Sequence, residues 1–362
     1  MPIQTLHIER LRNLKSIQLK NLQQFNLFFG ENGSGKTSLL ESLHLLATGR
    51  SFRTHIPKHY IQHQQDNMLI YAELDDAKIG LQKNASGEQV MRVNGETVAT
   101  QGQLAKLLPV QVIEPQSTEI IDQGAKARRQ LLDWLMFHVE PEFYPCWQHY
   151  SKALKQRNAL LKTPHTQGLA QHIAIWDAIL ASEGEKIHQL RAKLVAVWQD
   201  AIQQELQQLL PHLHFKMDYQ AGFSTQLGLA TQLSQELPRD MERRTTQHGV
   251  HRADLRLKTE TGDVENVCSR GQKKLIIMAL KLAQVAMLQQ IGKPSIVLID
   301  DLSAELDLSA QQRLLARLQQ LQSQVFLTTL DQQTINICQQ LTVKSCFFQV
   351  QQGQITEFSL TN

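Results

Sequence analysis

Apolar residues fall at strand-like alternation over residues 3–8 and 17–22, on either side of the polar turn 9–15, and then run unbroken from Phe25 to Phe29. A glycine-rich stretch follows, and from Ser38 to Leu46 the apolar positions recur at helical spacing, giving strand, loop and helix in succession. Shorter alternating runs at 67–74, 78–83 and 89–93, with Asn94-Gly95 as a hairpin turn, predict a small antiparallel sheet beside that loop. Residues 109–113 read as one more short strand.

From about residue 125 to 210 the pattern is almost wholly helical and glutamine-rich, with breaks predicted near Pro141, Pro145 and 164–168. In the longest helix Trp176, Leu180, Glu183, Ile187, Leu190, Leu194, Val197 and Ala201 alternate steps of four and three, a heptad stripe. A helix of a short antiparallel bundle fits it better than a long coiled coil, which needs more heptads on two matching segments. A strand at 214–219, a helix at 226–243 and a strand-rich segment from Gly249 lead to a helix at 273–290, with Leu275, Ile276, Ala279, Leu282, Ala283 and Ala286 on one face. The apolar strand 295–299, of the buried parallel kind, ends in Asp300-Asp301. A helix at 309–321, a buried strand from Gln324 and a hairpin of 346–350 with 354–358 about Gly353 complete the pattern.

Composition narrows the class without naming a function. The 362 residues are 42% hydrophobic and 20% charged, ample for two globular domains. A net charge of +3 is too small to argue for nucleic-acid binding by itself. Basic residues gather locally at Arg50 and Arg53, at Lys126, Arg128 and Arg129, and at Lys152, Lys155, Arg157 and Lys162, where a solvated helix face is the plain alternative. Cys146, Cys268, Cys338 and Cys346 lack metal-ligand spacing. With no signal-like start and no apolar run of membrane-spanning length, a cytoplasmic, reduced protein without a membrane partner is expected.

The chemistry lies in three stretches. Gly30-Glu31-Asn32-Gly33-Ser34-Gly35-Lys36-Thr37, continuing into Ser38, fits G-x-x-x-x-G-K-[ST]. Its glycines let the backbone turn N–H groups inward at a helix start, an anion nest favoured by the helix dipole. Lys36 would reach the β- and γ-phosphates and Thr37 would hold Mg²⁺. Asp300, at the end of an apolar strand, is the expected Mg²⁺-organising acid. Ser269 and the N–H of Gly271, ahead of the 273–290 helix and followed by Gln272, would bind an anion. Arg12, in the turn between the first two strands, is either a contact to nucleotide or a solvated turn residue.

Together these motifs resemble the ATP-binding-cassette ATPases, in which Ser-x-Gly-Gln of one subunit completes the ATP site of a second. The long, helical stretch between Lys36 and Ser269 favours the DNA-repair and chromosome-structure branch over transporter subunits. Leu11-Arg12-Asn13-Leu14, Gly49-Arg50-Ser51-Phe52-Arg53, Arg128 to Trp134, His251 to Leu255, Ser269-Arg270-Gly271-Gln272 and Asp300 to Asp307 are similar to the bacterial RecF family over nearly the whole chain. The resemblance implies an α/β cassette-type head, with a mixed sheet and helices, built from residues 1–124 and 246–362, and a helical lobe inserted at 125–245. It implies an ATP-dependent homodimer that binds DNA at gaps and single-strand/double-strand junctions and works with RecO and RecR to load RecA. Gln116 becomes a further metal candidate, and Arg50, Arg53, Arg128 and Arg129 candidates for DNA. Asp301 stands where most cassette ATPases have a catalytic glutamate, and Thr328-Thr329 where many have a histidine, so hydrolysis should be slow. A chromosome-organising head and a transporter ATPase subunit are the competing readings.

Overall fold

The computed structural model describes residues 2–114, 118–163 and 168–358, with the backbone alone of Glu305; Gln116 and most of the break expected at 164–168 lie outside the described residues. The chain lays down β1 (Ile3–Glu9), β2 (Ile17–Lys20), β3 (Phe25–Phe29), β4 (Asn67–Leu74), β5 (Lys78–Asn84), β6 (Gln89–Val93), β7 (Glu96–Thr97) and β8 (Val110–Ile113). Then come β9 (Phe215–Gln220), β10 (Asp254–Thr259) and β11 (Gly262–Asp263), and last β12 (Ile296–Ile299), β13 (Gln324–Thr329), β14 (Ser345–Gln351) and β15 (Gln354–Glu357). Two compact units result, one of 1–117 with 278–362 and one of 118–277.

The first unit has two six-stranded sheets. One is antiparallel, in the order β2-β1-β4-β5-β6-β7, so the first two strands join the predicted small sheet instead of standing apart from it. The other runs β15-β14-β3-β13-β12-β8, with every pair parallel except the β14–β15 hairpin. Phe28 stacks on Phe348 of the neighbouring strand at 4.9 Å between ring centres. The Lys36–Thr48 helix packs against both sheets, and Leu39, Leu40, Leu43, Leu45 and Leu46 are buried around its circumference, as a helix enclosed on all sides requires. Gly49, at φ 67°, ends that helix, and Gln101 Nε2 caps its last turn by donating to the Ala47 carbonyl at 3.0 Å.

The Gln101–Leu107 and Gln332–Gln339 helices were not legible in the apolar pattern; the first starts on a capping box of Thr100 and Gln103. The Arg270–Gln290 helix differs from its one-faced prediction, because residues 276–285 are buried all round, Lys281 and Gln284 included.

The second unit has a three-stranded sheet, β11-β10-β9, and a helical part with helices Ala125–Val139, Phe143–Leu160 and Leu169–Leu209. Pro145 does not break the second of these; it sits in the first turn, where a missing N–H costs nothing. The helix predicted at 226–243 is two, Leu229–Gln235 and Leu237–Arg243, parted at Glu236 ahead of Pro238. The heptad stripe keeps Leu180, Ile187 and Leu194, but Glu183, Leu190, Val197 and Ala201 give way to buried Gly184, Arg191, Trp198 and Ile202 one residue on, Trp176 is only half-buried and Val197 is exposed. An apolar template passes over a buried glycine and a buried arginine. Arg191 is fully buried because Asp133 takes its guanidinium in a bidentate pair, at 2.7 and 2.9 Å from Nη2, and Phe143 and Trp147 lie over it. Arg157, grouped above with a basic surface, is instead fully buried between Asp177 and Asp240.

Candidate nucleotide site

Between β3 and the Lys36–Thr48 helix the chain turns on Gly30, Gly33 and Gly35, whose φ values are 153°, 77° and 119°. A Cβ at Gly30 would stand 2.1 Å from the Val350 carbonyl oxygen and one at Gly35 2.8 Å from Leu14, so both close approach and backbone conformation require glycine there. The loop is gripped from outside. Asn13 Nδ2 donates to the Gly33 carbonyl at 2.9 Å, and the Gly353 amide of the β14–β15 turn donates to the Ser34 carbonyl at 2.8 Å. With those carbonyls held outward, the first-turn amides of the helix, which have no intrahelical acceptors, supply the positive end.

Lys36 Nζ donates to the carbonyls of Gly30 and Glu31 at 2.6 and 2.9 Å. Burial lowers its pKa, against the pull of Asp301 and Asp300. Parallel pairing of β12 with β13 brings Asp300 beside Thr328, whose hydroxyl donates to Asp300 Oδ1 at 2.8 Å. Thr37 Oγ1 lies 3.0 and 3.1 Å from the two oxygens of the same carboxylate. Asp301 sits in the left-handed region at φ 48°, ψ 59°, a conformation that short Asp tolerates better than most residues, with its amide bonded to Thr328 Oγ1 at 2.8 Å.

One cleft is lined by Asn32, Gly33, Gly35, Lys36, Thr37, Ser38, Asp300, Asp301 and Arg12, so the phosphate-loop and aspartate candidates meet. Arg53, expected at DNA, lines this cleft as well. Thr328, expected where many cassette ATPases have a histidine, lines the cleft too, and Asn13, Lys58, His59, Ile61 and His63, which sequence reasoning missed, complete the lining. The signal for Asn13 was its place in the Leu11-Arg12-Asn13-Leu14 stretch, and for 58–63 only the polar and basic residues that follow Arg53. Ser269, Gly271 and Gln272 belong to the other unit, all exposed at the start of the Arg270–Gln290 helix. There Ser269 Oγ accepts from the Gln272 amide at 3.3 Å and Gln272 Oε1 accepts from the Ser269 amide at 2.9 Å, which leaves the serine O–H proton to give away. Arg50 is exposed. Arg128 is committed to a bidentate pair with Asp254, and Arg129 donates to the Ala253 carbonyl at 2.6 Å.

The donor set fits a magnesium nucleotide. Ser34 Oγ is buried in the loop without a hydrogen-bond partner, and burial, with Asp301 adding to it, raises the pKa of Asp300. Among the described residues no three His, Cys, Asp or Glu side chains form a metal cage. Mg²⁺ needs none, since it is commonly held by one or two protein oxygens, substrate phosphates and water.

The family model described as RecF/RecN/SMC N terminal domain matches residues 2–355. The DNA replication and repair protein RecF of Acinetobacter baumannii strain SDF is 58% identical over 357 residues, covering 98% of this chain and 99% of that one. The chain belongs to the RecF family. Its similarity to RecF of Acinetobacter baylyi is 57% over 356 residues, at 98% and 99% coverage, and to RecF of Shewanella loihica 39% over 363, again at 98% and 99%. Among solved structures, the recombination mediator protein RecF of the RecFOR pathway, as RecF-ATP, superposes with a TM-score of 0.86 at 24% identity over 99% of each chain. An Smc head domain from Pyrococcus furiosus gives 0.60 at 14% identity, covering 99% and 96%. The fold is thus that of the RecF and SMC heads, a cassette-type phosphate-loop ATPase fold. Among the described residues no helix is long and apolar enough to cross a membrane.

Proposed function

We propose that the protein binds ATP with Mg²⁺ in this cleft, dimerises on it and, as the dimer, holds DNA at gaps and single-strand/double-strand junctions during replication and recombinational repair. The observation that carries the reading is the convergence of Thr37 and Thr328 hydroxyls on the Asp300 carboxylate beside Lys36. Lys36 and the loop amides would bind the phosphates. Thr37 and Asp300, with Gln116 as a further candidate, would hold Mg²⁺, which would draw charge from the phosphate oxygens. The RecF-ATP relative supports the nucleotide, and its RecFOR pathway supports RecO and RecR as partners; RecA loading downstream rests on the family resemblance alone.

The exposed Ser269-Arg270-Gly271-Gln272 run, with a serine proton to donate, suits a second copy's γ-phosphate, which makes dimerisation depend on ATP. Asp301 would act as the proton acceptor for water. Its carboxylate stands one methylene short of glutamate's reach, and a misplacement of about an ångström costs ~10²-fold in rate, so ATP serves as a slow timer for release from DNA. Calorimetric titration of MgATP tests the base of the proposal: Lys36→Ala is expected to lose at least about tenfold in affinity with its melting unchanged. Wild-type affinity in that variant would overturn the nucleotide assignment.

A further inference from the structure

The Lys36–Thr48 helix carries a carboxylate that no phosphate-loop pattern calls for. Glu41 follows Thr37 by four residues and so lies on the same face one turn on, yet its side chain is 0% exposed. Oε2 accepts from Arg12 Nε at 2.6 Å and Oε1 from Arg12 Nη2 at 2.8 Å, a bidentate pair that raises the arginine's pKa. Oε1 also accepts from the Ser51 hydroxyl. Ser51 Oγ in turn accepts from the amides of Arg53 at 2.9 Å and Thr54 at 3.1 Å, fixing the turn from which Arg53 enters the cleft. Arg12 Nη1 donates to the His59 carbonyl at 2.9 Å and its amide to the Tyr60 carbonyl at 2.8 Å, so the same guanidinium ties down the segment bearing His59.

We propose that Glu41 is a positioning residue that sets both arginines of the nucleotide cleft, Arg12 directly and Arg53 through Ser51. Two features argue for positioning over simple cohesion. A buried ion pair holds a fold together no better than well-packed apolar side chains of similar volume. And both branches from Glu41 end on cationic side chains that face the phosphate loop. Further along the same helix the 50–54 segment is held without charge. The His44 ring, its pKa pushed down to about 4 by burial, bonds the Arg50 carbonyl through Nδ1 at 2.7 Å, and Thr48 Oγ1 donates to that carbonyl at 3.1 Å. Glu41 alone on this face therefore links the segment to a charge in the cleft.

The inference rests on the nucleotide reading, and the test separates the two. MgATP affinity is measured for wild type, Lys36→Ala, Glu41→Gln, Arg12→Ala with Arg53→Ala, and the triple variant combining the last three substitutions. Glu41→Gln is expected to weaken binding about tenfold, as loss of a charge-assisted network implies, and to have no further effect once both arginines are gone. The same factor in both backgrounds, or wild-type affinity for Glu41→Gln, would overturn the positioning role while Lys36→Ala still showed its loss of affinity. Failure of wild type itself to bind, or Lys36→Ala binding as wild type does, would instead remove the nucleotide reading. If Glu41→Gln does not fold, Ser51→Ala cuts only the branch to Arg53. It is expected to weaken MgATP binding in the wild-type background and to be silent beside Arg53→Ala; equal effects in both overturn the proposal.

Discussion

At Asp300 burial pushes the carboxyl pKa up, the Thr328 and Thr37 hydroxyls pull it down, and the charge of Asp301 adds to the rise. With the folded pKa above the unfolded one, this group's contribution to stability is fully present below the unfolded pKa and is lost as pH rises through the folded value. The ionised form of this carboxylate is therefore a liability that a cation would relieve. Asp300→Asn, which keeps both threonine bonds through Oδ1, is expected to melt at or above wild type without nucleotide. With MgATP it should lack the rise in melting temperature that wild type shows, and EDTA should abolish most of that rise in wild type; parallel thermal melts check both. Lys36, Thr37 and Asp300 were readable because a pattern prescribes their types and spacing. The roles of Asn13 and Glu41, and the bond of Thr328 to Asp300, were not, since an amide in a turn, a carboxylate inside an apolar helix or a hydroxyl at a strand end becomes informative only when its partner across the fold is known.

Among the elements, the Leu169–Leu209 helix was the most legible in existence and the least in orientation. Counting apolar residues located it, but the packed face is set where Gly184 admits Leu229 and Tyr150 and where Arg191 is neutralised. A Cβ at Gly184 would stand 2.5 Å from Leu229 Cδ2 and 3.2 Å from Tyr150 Cε2, and both partners are buried. Alanine gains about 1 kcal/mol in helix propensity, but overpacking costs about 1–3 kcal/mol. Gly184→Ala is thus expected to lower the urea midpoint, by a net loss of up to about 2 kcal/mol. The start of the Arg270–Gln290 helix gives an opposite case, where substitution should spare the fold because Ser269 is exposed. Ser269→Arg is expected to bind ATP as wild type does and to stay monomeric with it; an ATP-dependent dimer in sedimentation would contradict the composite site.

Over the whole molecule a net charge of +3 leaves DNA binding to local clusters, and pairing has thinned them. Arg128 is held by Asp254, Arg129 donates to the Ala253 carbonyl, Arg157 is held by Asp177 and Asp240, and Arg53 lines the nucleotide cleft, so among the four arginines expected at DNA Arg50 is the one left exposed outside that cleft, beside the exposed Lys126, Lys152, Lys155 and Lys162. Arg50→Ala is expected to reduce the slope of log affinity for gapped duplex against log salt by about one unit while leaving MgATP affinity unchanged. Equilibrium binding at several salt concentrations reads this directly. The sheet order was the least legible feature at this scale. Strand partners far apart in sequence leave no local trace, and nothing in residues 25–29 announces neighbours that begin at 324 and 345.

That order has a consequence for how the protein is made. β3, from which the phosphate loop springs, is flanked on one side by β13 and on the other by β14, and the turn after β14 supplies the amide that holds the Ser34 carbonyl. During synthesis the loop is made well before β13 and β14, so its strand is expected to stay unpaired on both edges until they follow. A chain cut short before β14 is therefore expected to leave the phosphate loop unsupported and to capture no nucleotide, so that ATP binding would report the closing of the strands made last.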